Sequence, residues 1–399
     1  MSEHRPMDSY NTPPSDDAAT HLSADTEAAR LIEDSIGRLF ATEVDKGLRE
    51  RAEAGVLDAR LWQQVLEGGF HLLLAPEAAG GFGQSWVEAF PMIRGLGYWQ
   101  VPLPLAETLI AVQLATLAGI ALPEAGEGPL TIIEQGQGNS LRVDDDGDAI
   151  TLSGTAHGVP WARHARAALV SLADGRLGLL DLRAAPGVSL QPQVNLAGLP
   201  SDTLVLQHAR LRSVVRSPWA LPQPVWTLGA LARSAMLVGA LESVLEQAVR
   251  YAGERVQFGK PIAKNQAIQH SLALLAGDVA AARMAALVAA ADALGGGSGK
   301  GSGSDGNGRG GTECHAARFS TAVAKVRACE AATRGAAIAH QVHGAIGFTH
   351  EHALHFATRR LWAWRAEFGG DAQWAEELGR AAIQARASGF WPGLTRRHF

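Results

Sequence analysis

Two long helical segments in the C-terminal half of the chain constrain its fold more strongly than any other feature. Residues 225–253 contain no proline and repeat apolar side chains at helical spacing. Residues 262–294 are rich in Ala and Leu, and a helix of that length would extend roughly 50 Å at 1.5 Å per residue. Helices this long need long neighbours to cover their apolar faces, so the sequence predicts a helical bundle.

A Gly- and Ser-rich segment, residues 295–311, follows the second of these helices. Such a composition forms a flexible coil that spans about 20–25 Å on average, enough to join two neighbouring antiparallel helices. We therefore expect a surface loop within the bundle rather than a boundary between domains. Helix is predicted again over residues 316–342 and, after a turn at 344–347, over residues 351–367.

The chain between residues 26 and 122 is also predicted to be mostly helical, because apolar side chains such as Ala29 and Ile36 recur at helical spacing. Ser85 is placed to cap one of these helices, with Glu88 at the distance of a capping box. The residues before this segment are acidic and polar and contain no apolar core, so they do not form a secretory signal.

Residues 130–211 have a different pattern. Short apolar runs with many β-branched side chains alternate with Gly, Pro, Asp and Asn, which predicts a small antiparallel β domain. The acidic run at 144–148 lacks the alternating ligands and the distal Glu of a calcium loop, so it is predicted to be a hairpin turn. The fold class is therefore mostly α with a central β domain.

The predicted organisation has four parts. They are a disordered tail over residues 1–25, an N-terminal helical domain over 26–127, a β domain over 128–222 and a C-terminal helical bundle over 223–399 with the Gly/Ser-rich loop 295–311.

Composition excludes several classes of protein. The formal net charge of −5 argues against a nucleic-acid partner, because a polyanion needs a concentrated basic face. No run reaches the roughly 18 apolar residues of a membrane span, so no membrane insertion is expected. Cys314 and Cys329 lack the CxxC spacing, and we interpret them as reduced thiols of a cytoplasmic protein.

Residues 251–270 carry side chains suited to a dinucleotide, at the corner between the two long helices. The guanidinium of Arg255 has a planar fork that matches a pyrophosphate. Phe258 offers an apolar face, and the amide of Gln266 can both donate and accept hydrogen bonds. The alternative interpretation is that Arg255 pairs with the neighbouring Glu254 and that Phe258 belongs to the core.

Three stretches together resemble one family. YAGERVQFGKPIAKNQAIQH at 251–270, QVHGAIGFTHEH at 341–352 and LWQQVLEGGFHLLLAPEAAGGFG at 61–83 resemble, in family order, the conserved stretches of the acyl-CoA dehydrogenases. The second stretch begins at Gln341 and contains Gly344, a residue type that lets a backbone approach a ligand closely.

The resemblance implies an acyl-CoA dehydrogenase-like fold, with an N-terminal helical domain, a small β domain and a C-terminal four-helix bundle. It also implies FAD as cofactor and the α,β-dehydrogenation of an acyl-CoA to the 2,3-enoyl-CoA. Electrons would pass to an electron-transfer flavoprotein or a similar acceptor. The chain would form a homo-oligomer, or a heterotetramer with a second dehydrogenase subunit. The residues implied to touch FAD, bound mainly by the neighbouring subunit, are Arg255, Phe258, Gln266, Gln341 and Gly344.

The sequence departs from the family pattern in two places. The Thr-Glu-Pro and Gly-Ser stretch of the family's β domain is not recognisable in residues 130–142. The family's catalytic carboxylate, which removes the α proton of the thioester, would fall on Phe368, with Glu367 one place earlier. Glu367 is the candidate base, since the alternative position near Gly229 has no acid beside it.

Three functions therefore stay open from the sequence. The chain is an active dehydrogenase, a non-catalytic subunit that completes a partner's FAD site, or a flavin oxidase on the same fold. No metal is expected, because no carboxylate or Cys completes a ligand set with the histidines at positions 340, 343, 350, 352 and 355.

Overall fold

The computed structural model describes residues 26–147, 149–219, 221–293 and 309–396. The predictions for the tail at 1–25 and for most of the loop at 295–311 lie outside these residues. The end of that loop is the exception. The backbone is already helical at Arg309, so the predicted restart of the helix at residue 316 was seven residues late.

Five helices form the N-terminal part of the chain, and short polar side chains cap the starts of the first four. Thr26, Asp45 and Asp58 each accept a hydrogen bond from a backbone N–H of the helix that follows. The capping box predicted for Ser85 and Glu88 is confirmed. The helices are α1 (Glu27–Glu43), α2 (Lys46–Glu53), α3 (Ala59–Glu67), α4 (Trp86–Tyr98) and α5 (Leu105–Leu117).

Seven strands form a curled sheet in the middle of the chain. They are β1 (Leu130–Glu134), β2 (Arg142–Asp145), β3 (Ile150–Pro160), β4 (Ala167–Ser171), β5 (Arg176–Asp181), β6 (Val188–Gln191) and β7 (Ser201–Arg216). Their order is β1-β4-β5-β7-β3-β2, with β6 also on β7. The β1–β4 pair is parallel, whereas the sequence predicted only antiparallel pairing.

The long strand β7 joins two halves of this sheet. Its first part pairs with β3 and β6, and its last part pairs with β5. His208 and Ser213 have positive φ angles within the strand, at the places where its register against β3 and against β5 shifts. The hairpin predicted in the acidic run is present between β2 and β3, and Asp148 of that run lies outside the described residues.

Five helices and one short hairpin follow the sheet. The helices are α6 (Pro224–Glu254), α7 (Gln266–Asp292), α8 (Arg309–His343), α9 (Leu354–Ala366) and α10 (Asp371–Arg396), and the hairpin is β8 (Val256–Gln257) with β9 (Lys260–Pro261). Helix α7 is shorter than the predicted segment because Ile262–Lys264 form a 3₁₀ turn, and Asn265 then caps the helix. Its 27 residues extend about 40 Å.

Helix α6 is the centre of the molecule. It packs against α7, α8 and α9 on one side and against α4 on the other. The crossing with α4 is so close that a Cβ at Gly97 would lie 1.8 Å from the Met236 carbonyl oxygen, and a Cβ at Gly239 would lie 1.9 Å from that of Arg94. Buried residues of the N-terminal helices and of the bundle therefore form one continuous core, while much of the sheet encloses a second.

Two helices of the described chain are long and apolar enough to cross a membrane when only length and composition are considered. They are α6 and α7. Most of α6 is buried in the bundle, which explains its apolar character by packing. Helix α7 buries a smaller set, made of Leu275, Val279, Leu287 and four alanines.

Candidate functional site

An ionic triad of the buried Arg233 and Glu107 and the partly buried Glu367 connects three distant parts of the chain. Arg233, in the middle of α6, is bonded through Nε to Glu367 Oε2 at 2.6 Å and through Nη2 to Glu107 on α5. Arg233 is 4% exposed and Glu107 is 2% exposed. Burial by itself lowers the pKa of Arg233, but the attraction of Glu107 and then of Glu367 outweighs it and raises that pKa above its ordinary value. One cation is therefore shared by two carboxylates inside the protein.

Glu367, the predicted base, is held by further contacts. Its Oε1 accepts a hydrogen bond from Asn195 Nδ2 at 2.8 Å, and its backbone carbonyl accepts one from Lys325 Nζ at 2.8 Å. Lys325 also donates to the Trp364 carbonyl oxygen, and burial lowers the pKa of Lys325 to about 8. Both carboxylate oxygens of Glu367 are thus engaged by donors from other elements.

The turn after α9 explains how Glu367 reaches this position. The helix ends at Ala366, and Glu367 already has an extended backbone, so the helical rotation between it and Phe368 does not apply. Phe368 has a φ of +53° and turns its ring onto α6, where a Cβ at Gly229 would meet it at 2.5 Å. Of the two adjacent positions considered for the base after α9, position 367 therefore holds an ion-paired acid and position 368 holds a packed aromatic ring.

The space beside Glu367 is very small. A cavity of about 10 Å³ lies between α5, the end of β3, α6 and α9. Besides the triad and Asn195 it is lined by Val101, Leu103, Pro160, Trp161, Leu199, Pro200, Met236 and Trp364. About one water molecule fits a volume of that size, whereas sites for cofactors have about 300–1,000 Å³. The cavity beside Glu367 is therefore far below the volume of a cofactor site.

The residues predicted to touch FAD lie elsewhere, at one end of the bundle. The end of α6, residues 262–272 and the end of α8 meet in a small apolar cluster that includes Ala252, Ile268 and Val342. Tyr251 of α6 also stacks on His343 of α8 at 4.6 Å between ring centroids. This packing fixes the relative positions of the segments that carry the predicted residues.

All five predicted FAD contacts are exposed at this end. Arg255 caps α6, and its guanidinium has no hydrogen bond or ion pair within the described part of the chain, so the alternative pairing with Glu254 is absent. Phe258 is 99% exposed and has a φ of +51° in the tip of the β8–β9 hairpin. Gln266 and Gln341 are likewise exposed, and Gly344, with a φ of +64°, has open space where a Cβ would point.

These groups suit a dinucleotide that is covered from the other side. A free guanidinium and two free amides can bind phosphate and base edges, and Gly344 leaves room for a close approach. Apolar side chains surround them, since Val256, Ile346 and Phe348 are exposed as well. All of these side chains are exposed in the single chain. We call Arg255, Phe258, Gln266, Gln341 and Gly344 the corner surface.

Sequence reasoning missed Glu107, Arg233, Asn195 and Lys325. A signal was present for two of them, since Arg233 and Glu107 are charges within segments that are otherwise apolar over many residues. A charge in such a segment is buried and must be paired, but the sequence does not identify the residue that pairs with it. Asn195, in the loop before β7, and Lys325, on α8, carry no such signal.

Glu134 occupies the part of β1 where the family motif is absent. Its Oε2 accepts a hydrogen bond from the backbone N–H of Trp226 at 3.1 Å, in the first turn of α6. Burial is the largest influence and raises the pKa of Glu134 to about 7, against the opposing hydrogen bonds of Ser171 and the Trp226 backbone. Its side chain links the sheet to the helix that carries Arg233.

The histidines near residue 350 pack on one another. His343 lies against His352 at 4.7 Å between ring centroids, and His340 Nε2 contacts Thr358 Oγ1 at 3.1 Å. Burial lowers the pKa of His343. Over the described ranges, no group of three or more His, Cys, Asp or Glu side chains is arranged to hold a metal ion.

Comparison with known proteins gives consistent matches along the chain. Residues 26–122 match the model of the acyl-CoA dehydrogenase N-terminal domain, and residues 219–383 match that of the acyl-CoA dehydrogenase C-terminal domain. The acyl-CoA dehydrogenase IpdE2 of Mycobacterium tuberculosis is 29% identical over 346 residues, which cover 84% of this chain and 91% of that protein.

Solved structures share the whole fold. A variant of the Tcur3481-Tcur3483 steroid ACAD is 26% identical, with a TM-score of 0.78 over 90% of this chain and 99% of the other. The ChsE4-ChsE5 complex of Mycobacterium tuberculosis, at 24% identity, has a TM-score of 0.76 over 92% of this chain and 100% of the other, which is a likeness of fold.

Proposed function

The chain belongs to the acyl-CoA dehydrogenase family, and we propose that it is the non-catalytic subunit of an FAD-dependent acyl-CoA dehydrogenase. In this assembly a partner subunit dehydrogenates the acyl-CoA to the 2,3-enoyl-CoA, and this chain completes the partner's FAD site. The observation that carries the proposal is a contrast. The corner surface is exposed and unpaired, while the chain's own interior beside Glu367 has about 10 Å³ of space.

The corner surface would act by binding and orienting the cofactor. Arg255 would hold the pyrophosphate through its guanidinium fork, Gln266 and Gln341 would bond to polar edges, and Phe258 would cover an apolar face. FAD, when bound, accepts the hydride that leaves the β carbon of the thioester. The residues of this chain would supply affinity and exclude water at the junction between the two subunits.

The surface of α7 supports an oligomer. Leu274 and Met284 are more than half exposed on this Ala- and Leu-rich helix. An exposed apolar face of this length is typical of a subunit interface. Two of the similar solved structures have paired names, ChsE4-ChsE5 and Tcur3481-Tcur3483, and the latter is called a steroid ACAD. We therefore propose a second dehydrogenase subunit as partner, a bulky acyl-CoA as substrate and an electron-transfer flavoprotein or a similar acceptor for the electrons.

A second candidate is that this chain is itself catalytic, with Glu367 as the base. Its support is the position of Glu367 beside a cavity at the junction of the N-terminal helices, the sheet and the bundle. To remove an α proton, the carboxylate would have to leave Asn195 and accept that proton, which would end its ion pair with Arg233. The apolar lining around Trp161 and Trp364 would also have to open.

The experiment that separates the two candidates is a visible spectrum of the chain purified alone, and then of the chain copurified with its partner. We expect a colourless chain alone and a flavin spectrum in the complex that bleaches with acyl-CoA under anaerobic conditions. Flavin bound to the chain alone and bleached by acyl-CoA would refute the non-catalytic role.

Two substitutions test the residues. Arg255→Ala is expected to lower FAD retention in the complex, whereas Arg250→Ala, at an exposed arginine one turn earlier that pairs with Glu246, serves as its matched control. Equal FAD retention in both variants would exclude the cofactor role of Arg255. Glu367→Gln is expected to leave bleaching unchanged, and loss of bleaching with FAD still bound would establish Glu367 as the base.

A further inference from the structure

The connection between α8 and α9 is packed onto two other helices by aromatic rings. It consists of a 3₁₀ turn at Gly344–Phe348 and of residues 349–353. His352, near its end, lies against His343 of α8 at 4.7 Å and against Tyr251 of α6 at 6.2 Å between ring centroids. Tyr251 in turn stacks on His343. The three rings therefore join the connection to both helices.

His352 also makes a hydrogen bond at the start of α9. Its Nδ1 lies 3.1 Å from the backbone nitrogen of Leu354, the first residue of that helix. A backbone N–H only donates, so Nδ1 is the acceptor, and the proton of the neutral ring is on Nε2. The first N–H groups of a helix have no partner within it, and His352 satisfies one of them. This hydrogen bond requires a neutral His352, because the protonated ring carries a hydrogen on both nitrogens.

The neighbouring histidines differ from His352 in this respect. His343 Nδ1 lies 2.7 Å from the Ala339 carbonyl oxygen, and His355 Nδ1 lies 2.7 Å from the carbonyl oxygen of His352. A carbonyl oxygen only accepts, so both Nδ1 atoms donate, and both hydrogen bonds survive protonation of the rings. Of these three histidines, His352 is therefore the one whose protonation breaks a hydrogen bond.

The surroundings of His352 oppose its protonation. The titratable and charged side chains that face it come from three helices and are Arg250 and Tyr251 of α6, His343 of α8 and His355 of α9. Burial is the largest influence that lowers the pKa of His352 from the ordinary 6.5, and His355 and Arg250 lower it further. A state in which the ring is released binds a proton more readily, so the closed state loses stability as pH falls below 6.5.

We propose that His352 is a proton-operated latch of the connection between α8 and α9. While neutral, the ring holds residues 344–353 against α6 and α8. A proton from solvent on Nδ1 removes the acceptor of the Leu354 N–H and places a cation beside Arg250, so the connection opens. Gly344 of the corner surface lies in this connection. Acid therefore loosens the corner surface, and the consequence for FAD rests on the proposed function.

Amide hydrogen exchange of the full chain, followed by mass spectrometry, measures this opening. Protection factors of residues 344–354 are compared at pH 7.5 and pH 5, with those of α4 as the internal reference. One histidine that is held neutral only in the closed state lowers protection at pH 5 by at most about 30-fold, given an ordinary pKa of 6.5. We expect a fall of at least about tenfold in residues 344–354 and a smaller fall in α4. No fall, or the same fall in both segments, would overturn the proposal.

His352→Asn distinguishes the latch from a purely structural role. The asparagine oxygen can accept from the Leu354 N–H and does not titrate, so protection at the two pH values is expected to differ by less than about threefold. His315→Asn, the same substitution at an exposed histidine near the start of α8, is the control and should follow the wild type. A tenfold fall in His352→Asn as well as in the wild type would overturn the proposal, whatever the protection of the variant at pH 7.5.

The link to the cofactor is measured separately, in the complex with the partner subunit. FAD retained after gel filtration at pH 5 and pH 7.5 is compared for the wild type and His352→Asn. We expect the wild type to lose FAD at pH 5 and the variant to retain several-fold more. If exchange shows the latch but both complexes retain the same FAD at pH 5, the latch is supported and the role of the corner surface in binding FAD is refuted.

Discussion

Burial of the Glu134 carboxyl predicts a pH-dependent loss of stability that one substitution removes. The folded-state pKa of Glu134 is raised to about 7 from the usual 4.5. The folded protein therefore binds a proton that the unfolded chain releases between these two pH values, and stability falls as pH rises through this window. At about 1.36 kcal/mol per pKa unit, the full loss is roughly 3 kcal/mol above pH 7.

Glu134→Gln is expected to remove this loss. The glutamine side chain keeps an oxygen that can accept from the Trp226 N–H but does not ionise. The variant should thus gain stability relative to the wild type as pH rises, by roughly 3 kcal/mol between pH 4.5 and pH 8. Other titrating groups affect both proteins equally and cancel in the difference.

Urea denaturation at pH 4.5, 5.5, 6.5 and 8 measures this difference directly. Glu124→Gln, at an exposed carboxylate in the loop before β1, is the control and should follow the wild type at every pH. A constant difference between Glu134→Gln and the wild type from pH 4.5 to pH 8 would refute the argument that burial holds the Glu134 proton.

Three further outcomes follow from packing and exposure. Arg233→Gln leaves the Glu107 carboxylate buried without its cation and is expected to cost about 3–5 kcal/mol in urea denaturation, part of which Glu107→Gln in the same chain restores. Gly239→Ala forces α4 and α6 apart, since its Cβ would lie 1.9 Å from the Arg94 carbonyl oxygen, and is expected to lower the free energy of unfolding by about 1–3 kcal/mol. Phe258→Ser is expected to change the stability of the isolated chain by less than about 0.5 kcal/mol, because the ring is 99% exposed, and to weaken subunit association in sedimentation velocity.

The sequence was sufficient for features that depend on neighbouring residues. The capping box at Ser85, the acidic hairpin between β2 and β3 and the long helix α6 follow from side chains within a few positions of one another. The three stretches at 61–83, 251–270 and 341–352 together also indicated the family. Where the local signal was weak, boundaries shifted. Helix α7 begins at Gln266, after its cap Asn265, whereas the prediction placed its start at Ile262.

The strand pairing could not be predicted from the same patterns. The apolar runs identified β1 and β4. A run of buried residues does not indicate whether the neighbouring strand is parallel or antiparallel, and these two strands are parallel. Register shifts of β7 against β3 and β5 lie at His208 and Ser213, whose positive φ angles were not signalled in the sequence, since neither residue is glycine or asparagine.

The sequence by itself was enough to predict the family and the helical and β segments, and it proposed the residues of the corner surface. Only the tertiary structure decided what surrounds Glu367. Glu107 and Glu367 are 126 and 134 positions from Arg233, so nothing local to any of them reveals the shared ion pair. A buried charge must find a partner wherever the fold brings one, and packing of α5 and the α9 turn onto α6 sets which carboxylates those are.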